Sequence, residues 1–145
     1  MKISTKGRYA LRMMVDLAEH SFEGYIALKD ISERQEISLK YLEQIVTLLN
    51  KAGLIKSMRG PSGGYMLTRD PADYTAGEII RSTEGELSPV TCVEEDYTFC
   101  KRKGICTTVK FWQGLYEVIN EYIENVTLQE LIDDNRLRRP PEYSI

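Results

Sequence analysis

The chain has 145 residues, of which 42% are hydrophobic, and a formal net charge of −3. This length fits one domain, or a small domain with an appended helical arm, and the composition is sufficient for a folded core. No apolar run approaches the ~18 residues of a membrane span, and the first residues do not resemble a signal peptide. We therefore expect a cytoplasmic protein with reduced thiols, and the odd number of cysteines argues against a disulfide framework.

The charges are divided unevenly along the chain. Residues 1–70 carry eleven Lys and Arg against eight Asp and Glu, a balance of +3. Residues 71–145 carry eight against fourteen, a balance of −6. A basic N-terminal half joined to an acidic C-terminal half favours a nucleic-acid-binding domain with a separate control arm, with a chance distribution as the alternative.

The first half of the chain predicts three helices. Ser4 or Thr5 can cap a first helix that runs to about His20, because apolar residues recur there at helical spacing. A short second helix is predicted over residues 28–35. Ser38 is a natural N-cap for a third helix that ends before Gly53. The predicted apolar face of this third helix consists of Leu39, Leu42, Ile45, Val46 and Leu49.

The second and third helices together are typical of a helix-turn-helix. In that motif the later helix enters the major groove of DNA by its N-terminal residues. Gln can read an adenine edge there, and Ser, Lys and Tyr can contact phosphates. Each such residue alone is more often an ordinary solvated side chain, so the prediction depends on their grouping. The predicted DNA-reading residues are Ser38, Lys40, Tyr41 and Gln44.

Two strand-like runs, 55–58 and 65–68, flank a glycine-rich segment over residues 59–64. Glycines and a proline predict a hairpin loop, which alone would be only a β-turn. After three helices, however, such a hairpin is typical of the wing of a winged helix. Arg59 and Ser62 are its predicted DNA contacts, with Arg59 placed to enter a minor groove. Residues 1–74 are therefore predicted to form a winged-helix DNA-binding domain.

All three cysteines of the chain, Cys92, Cys100 and Cys106, lie in one polar stretch of the second half. Thiolates gathered on a flexible segment suit a soft metal centre, such as an iron–sulfur cluster, zinc or cuprous copper. We predict a connecting helix and this cysteine-bearing loop over residues 75–107. A long helix and a terminal helix are predicted over 108–134, and a disordered tail over 135–145.

The long helix carries an apolar stripe with spacings of three and four residues, longer than a small core requires. We predict that it pairs with the same helix of a second copy in a two-fold dimer. Such a dimer would hold two reading helices about 34 Å apart, matching a palindromic operator. Packing against its own domain is the alternative. The predicted dimer-interface residues are Trp112, Leu115, Ile119, Tyr122 and Ile123.

Four ordered motifs resemble the Rrf-two family of bacterial regulators, which includes iron–sulfur cluster regulators and nitric-oxide-sensing repressors. They are the opening residues 1–10, the reading-helix sequence SLKYLEQI from Ser38, the wing sequence GPSGGY from Gly60, and the cysteine triplet. The resemblance covers nearly the whole chain. It implies a homodimeric transcription factor of mainly α fold with a small β-hairpin wing and a long C-terminal dimerisation helix.

In members with this cysteine triplet, the resemblance also implies a 2Fe–2S or 4Fe–4S cluster. The state of that cluster would set the affinity for DNA in response to redox conditions, nitric oxide, or iron and cluster status. Cys92, Cys100 and Cys106 match the three cluster ligands of the family. Tyr41 and Gln44 match reading-helix positions, and Arg59 matches the wing arginine.

The fourth ligand of such a cluster is left open. Some relatives place a histidine shortly after the third cysteine, but residues 107–109 of this chain include none. Its only histidine, His20, is expected at the surface of the first helix. Other relatives supply an acidic ligand from the partner's first helix. This chain has Arg8 near that position, and a guanidinium is a very poor iron ligand. Another partner residue or an external small molecule remains possible as the fourth ligand. The candidates within the chain are Glu94, Glu95 and Asp96.

Rival functions come from two other classes. The thiols could hold zinc structurally in a constitutive DNA-binding protein. The chain could also be a cluster-free regulator that is controlled by zinc, thiol oxidation or a docked metabolic enzyme. An enzyme is not expected, because the sequence has no CxxC redox pair, no phosphate-binding loop and no Ser/His/Asp set.

Overall fold

A computed structural model describes residues 1–95 and 100–138 of the chain. The described residues form a two-stranded antiparallel hairpin of β1 (Ile55–Met58) and β2 (Gly64–Leu67). The helices are α1 (Thr5–Glu19), α2 (Leu28–Gln35), α3 (Leu39–Lys51), α4 (Ala76–Glu84), α5 (Val109–Asn125) and α6 (Leu128–Arg138). The predicted mainly α winged helix-turn-helix is confirmed. None of these helices is both long and apolar enough to span a bilayer.

Polar side chains cap the first turns of α3, α4 and α6, and at α3 the cap is the predicted Ser38. Ser38 Oγ accepts the backbone N–H of Tyr41 at 3.2 Å at the start of α3. Thr75 Oγ1 accepts that of Glu78 at 3.1 Å at the start of α4. At α6, Thr127 and Glu130 cap each other's backbone N–H groups at 3.1 and 3.0 Å. These bonds satisfy backbone donors that have no partner within the helix.

The core is formed by the apolar faces of α1, α3 and α4, and the hairpin and α6 add to it. From α3, four residues of the predicted apolar face are buried: Leu42, Ile45, Val46 and Leu49. Leu39, the fifth, was predicted wrongly, because its side chain is 43% exposed at the first turn of the helix. The terminal helix packs its Leu128 and Ile132 into the same core and extends to Arg138. The rest of the predicted tail, 139–145, lies outside the described residues.

A buried carboxylate joins α1 to α2. The Asp16 side chain is 1% exposed, and Arg34 binds both of its oxygens, with Nη2 2.7 Å from Oδ1 and Nε 3.0 Å from Oδ2. Gln35 donates a third hydrogen bond to Oδ2 at 2.9 Å. The hydrogen bond to Asp16 raises the pKa of Arg34, because it stabilises the charged guanidinium. His20, expected at the surface, is instead half-buried with Nδ1 2.8 Å from the Asp16 carbonyl oxygen.

A single tyrosine hydroxyl fixes the base of the hairpin. Tyr74 is fully buried, and its hydroxyl donates to the carbonyl of Leu54 at 2.8 Å, just before β1. The same oxygen accepts the backbone N–H groups of Thr68 at 2.9 Å and Arg69 at 3.1 Å, just after β2. The Tyr74 carbonyl in turn accepts the N–H of Leu128 at 3.0 Å, which ties this point to α6.

Removing this hydroxyl by Tyr74→Phe leaves the buried carbonyl of Leu54 and the part-buried N–H groups of Thr68 and Arg69 without this partner. We expect the free energy of unfolding to fall by about 1–3 kcal/mol, the usual cost of an unsatisfied buried polar group. Chemical denaturation measures this change. The control is Tyr25→Phe, because the Tyr25 hydroxyl makes no hydrogen bond with other described residues. Equal losses in the two variants would contradict the role of Tyr74.

Candidate nucleic-acid interface and cysteine-bearing segment

The start of α3 presents polar side chains to solvent. Ser38, Lys40 and Gln44 are all exposed there. The Ser38 oxygen accepts the N-cap hydrogen bond, which leaves its hydroxyl hydrogen free for a phosphate oxygen. Glu43, beside Gln44, is also exposed and places a negative charge on the same surface. The exposed side chains at this helix end carry groups that can donate hydrogen bonds to phosphates and base edges.

Tyr41 differs from its neighbours on this face because its ring is partly buried. It packs edge-on against the ring of Tyr9 in α1, with 5.5 Å between the ring centroids and an interplanar angle of 75°. The guanidinium carbon of Arg12 lies 5.1 Å from the centroid of the Tyr9 ring. Tyr41 therefore helps to hold α3 on α1, a contact that its place in the sequence did not reveal.

The hairpin is attached to the segment that precedes α2. Ile26 and Tyr65 exchange two backbone hydrogen bonds, each 2.8 Å long. This pairing brings the backbone so close to Gly64, at φ +152°, that a Cβ there would lie 2.1 Å from the Ile26 carbonyl oxygen. Arg59 and Ser62 are exposed in the loop between the strands. The loop is thus held beside the helix-turn-helix, in the position of a wing.

The cysteines lie at three places around the segment between α4 and α5. Cys92 is in a short 3-10 turn (Thr91–Val93), Cys100 follows the undescribed residues 96–99, and Cys106 lies three positions before α5. All three are free thiols and half-buried. Within residues 1–95 and 100–138, no three Cys, His, Asp or Glu side chains are grouped closely enough to hold a metal. The structure therefore supplies thiols without an assembled metal site.

The carboxylates considered as a fourth ligand have different surroundings. Glu94 accepts a short hydrogen bond from the Ser88 hydroxyl, so one of its oxygens is engaged. Glu95 is exposed. The third candidate, Asp96, lies outside the described residues.

Cys106 is the thiol whose surroundings favour its anion. Its Sγ lies 3.5 Å from Thr108 Oγ1. The pKa of Cys106 is lowered, first by this hydrogen bond and then by the backbone N–H groups of Thr108 and Val109 at the start of α5. Thiolate is the form of cysteine that binds soft metals, so the chemistry of this donor fits an iron–sulfur cluster or zinc.

The apolar stripe of α5 divides into two adjacent rows. One row is half-buried toward the chain's own domain and consists of Trp112, Tyr116, Ile119 and Ile123. The other is exposed and consists of Phe111, Leu115, Val118 and Tyr122. Of the predicted interface residues, Leu115 and Tyr122 lie in the exposed row, while Trp112, Ile119 and Ile123 lie in the other. Close approach of α4 to α5 explains the division, because a Cβ at Gly77 would lie 3.0 Å from Ile123 Cγ1.

The lowered pKa of Cys106 predicts that its alkylation rate in the metal-free protein rises at lower pH than for an ordinary thiol, because the thiolate is the nucleophile. In Thr108→Val the hydroxyl is lost, so we expect the rate–pH profile of Cys106 to shift to higher pH. Mass-spectrometric mapping of iodoacetamide labelling across pH measures this. Thr107→Val, at an exposed neighbouring position, is the control and should leave the profile in place; an unshifted profile in Thr108→Val would contradict the assignment.

Residues 3–134 match the family model Rrf2, described as an iron-dependent transcriptional regulator. The chain is 41% identical over 134 residues to the HTH-type transcriptional regulator IscR of Serratia proteamaculans, covering 92% of this chain and 80% of IscR. Its fold is similar to that of CymR, the global cysteine regulator of B. subtilis, with a TM-score of 0.76 and 42% identity over 92% of this chain and 98% of CymR. It is also similar to T. potens IscR, with a TM-score of 0.75 and 39% identity over 99% and 95% of the two chains.

These similarities agree with the polar start of α3 and the attached wing. The similar proteins are named as regulators, and the chain likewise is a DNA-binding protein rather than an enzyme. The match spans both the predicted winged-helix domain of residues 1–74, called the reading head below, and the cysteine-bearing segment. It is therefore not confined to a common helix-turn-helix. The protein belongs to the Rrf2 family of bacterial transcriptional regulators, the Rrf-two family that its motifs resemble.

Proposed function

We propose that the protein is a cytoplasmic, homodimeric regulator that binds a palindromic operator with an affinity set by an iron–sulfur cluster on Cys92, Cys100 and Cys106. The observation that carries the proposal is the confinement of the chain's three cysteines to one segment between α4 and α5, as free thiols. The iron-dependent description of the family supports it.

Contacts with DNA would come from two surfaces of the reading head. The exposed Ser38, Lys40 and Gln44 at the start of α3 can enter a major groove, with Tyr41 behind them holding α3 in place. The exposed Arg59 and Ser62 in the wing can reach the neighbouring minor groove or phosphates.

The cluster would be held by three thiolates and a fourth donor. The lowered pKa of Cys106 makes its thiolate easier to form, and Cys92 and Cys100 would supply the other two sulfurs. The fourth donor is Glu94, Glu95, a residue of the partner subunit or a small molecule, with Asp96 outside the described residues. When bound, the cluster supplies an iron centre that reacts with oxygen or nitric oxide and that depends on iron supply.

Regulation requires that the cluster-bound and cluster-free proteins differ in shape. A ligand shifts a conformational equilibrium only through its different affinity for the two states. Drawing three separated thiols together would order residues 92–106, and this would fix the orientation of α4 and hence the separation of the two reading heads.

Anaerobic purification with absorption spectroscopy and with iron, sulfide and zinc analysis tests the proposal. Iron matched by acid-labile sulfide would support a cluster, and the ratio per chain would give two or four irons. A colourless protein with stoichiometric zinc would favour a structural zinc site instead. Absence of both metals after reconstitution would favour the alternative, a cluster-free regulator controlled by thiol oxidation or a partner enzyme.

In Cys100→Ala we expect loss of the cluster and loss of the difference in operator affinity between cluster-loaded and cluster-free protein, because two sulfur ligands cannot hold the cluster. Fluorescence anisotropy with operator DNA under anaerobic conditions measures the affinities. Thr107→Ala, also in the segment but without a sulfur, should keep both properties. Retention of the affinity difference in Cys100→Ala would refute the coupling.

The exposed row of α5 supports a dimer through that helix. Tyr122 is 71% exposed and Val118 is 62% exposed, which is unusual for apolar side chains four residues apart on one face. In a dimer the second copy would cover them.

Tyr122→Glu should weaken the dimer by roughly 100-fold or more, because burying an unpaired carboxylate costs several kcal/mol. Sedimentation equilibrium measures the dissociation constant. Glu117→Gln, at an exposed position of the same helix, should leave it nearly unchanged. A dimer of unaltered strength in Tyr122→Glu would place the interface elsewhere.

A further inference from the structure

The carboxylate of Glu84, the last residue of α4, lies on the N-terminus of α1. Its Oε1 accepts the backbone N–H groups of Ser4 and Gly7, each at 3.1 Å. It also accepts a short hydrogen bond from the Ser4 hydroxyl. One oxygen atom therefore receives three donors from the first turn of a helix that lies about 80 residues earlier in the chain.

The N-terminus of a helix is a favourable place for a carboxylate. Its first N–H groups have no partners within the helix, and the helix dipole gives this end a partial positive charge. Ser4 Oγ alone is a weak cap here, because it lies 3.4 Å from the Gly7 nitrogen. Glu84 thus provides the stronger part of the cap, and it does so from another element of the fold.

The close approach depends on a glycine. Gly7 is buried, and a Cβ at this position would lie 2.7 Å from Glu84 Oε1 and 3.0 Å from Ile3 Cγ2. A Cβ at position 7 would push the Glu84 carboxylate away from the helix end, so this hydrogen-bonded position of the carboxylate depends on the glycine.

Glu84 is also the point where α4 passes into the cysteine-bearing segment. Gly85 turns the chain at φ +76°, and Glu86 then accepts a short hydrogen bond from the Tyr116 hydroxyl of α5, which raises the pKa of Tyr116. Cys92 follows eight positions after Glu84. The start of this segment is therefore linked to α1 through Glu84 and to α5 through Glu86.

We infer that Glu84 is a positioning residue through which the state of the cysteine-bearing segment reaches α1, and so the reading helix. The inference rests on the proposed function, in which a cluster orders that segment. The path onward is short: α1 holds α3 through the Tyr9–Tyr41 ring contact and α2 through Asp16 and Arg34. The neighbouring α4–α5 link, in which Arg81 donates to Asn120 at 2.5 Å, does not touch α1.

The test compares operator affinity in cluster-loaded and cluster-free protein for Glu84→Ala, Glu84→Gln and Glu86→Gln. Coupling between two sites is commonly about 5–150-fold, and we expect Glu84→Ala to bring the ratio of the two affinities to within about twofold of one. Glu84→Gln keeps an acceptor oxygen and should retain an intermediate ratio. Glu86→Gln removes the same charge two positions away without touching α1, and it should retain the wild-type ratio.

Three results would overturn the inference. These are an unchanged affinity ratio in Glu84→Ala, an equal loss of the ratio in Glu86→Gln, and a loss of iron from Glu84→Ala, which would make Glu84 part of the metal site. A merely structural cap would lower thermal stability in Glu84→Ala and leave the ratio unchanged. If the wild-type protein binds the operator equally well with and without the cluster, the proposed function itself fails. If the wild type shows a difference in affinity and Glu84→Ala shows the same difference, only the inference about Glu84 fails.

Discussion

The buried carboxylate of Asp16 fastens the first two helices of the reading head to each other. A lone charge in the interior would cost several kcal/mol, so such a group is tolerated only with a full set of partners. Here Arg34 binds both oxygens, and Gln35 adds a further donor. Since α3 begins at Leu39, four residues after α2 ends, fixing the end of α2 on α1 also restricts where the reading helix can begin.

Three contacts along α1 give this helix its place in the molecule. Glu84 holds its first turn, Tyr9 packs on Tyr41 near its middle, and Asp16 binds Arg34 in its last turns. The first contact leads to the cysteine-bearing segment and the other two lead to the helix-turn-helix. One helix therefore joins the cysteine-bearing segment to the helix-turn-helix, as the inferred coupling through Glu84 requires.

Much of the fold could be predicted because its signals are local. The caps at Ser38 and Thr75 and the glycine that ends α3 are properties of a few adjacent residues, and the structure places helix ends where they indicate. What the sequence did not reveal depends on distant contacts. The ring contact of Tyr41, the burial of Asp16 and the hydroxyl network of Tyr74 all involve partners that only the folded chain brings near.

The same distinction applies to the candidate sites. The predicted reading residues could be selected by position on one helix; Ser38, Lys40 and Gln44 are exposed there, whereas Tyr41 is partly buried. The stripe of α5 was predicted as one surface because spacing alone cannot show which side meets α4, and Gly77 decides this through its lack of a side chain. The cysteines share a stretch of sequence but no common centre in the described residues, since sulfur atoms on a loop have no reason to converge without a metal.

The loop of the wing is constrained differently along its length. Where the loop enters β2, Gly64 meets the Ile26 carbonyl so closely that no side chain fits, and a Cβ at Gly63 would lie 2.1 Å from the Met58 carbonyl oxygen. At its tip, Pro61 and Ser62 are exposed, and nothing lies within 4 Å of a Cβ at Gly60. A side chain is therefore excluded at Gly63 and Gly64 by the neighbouring backbone and disfavoured at Gly60 by its φ of +112°, whereas Pro61 and Ser62 face open solvent.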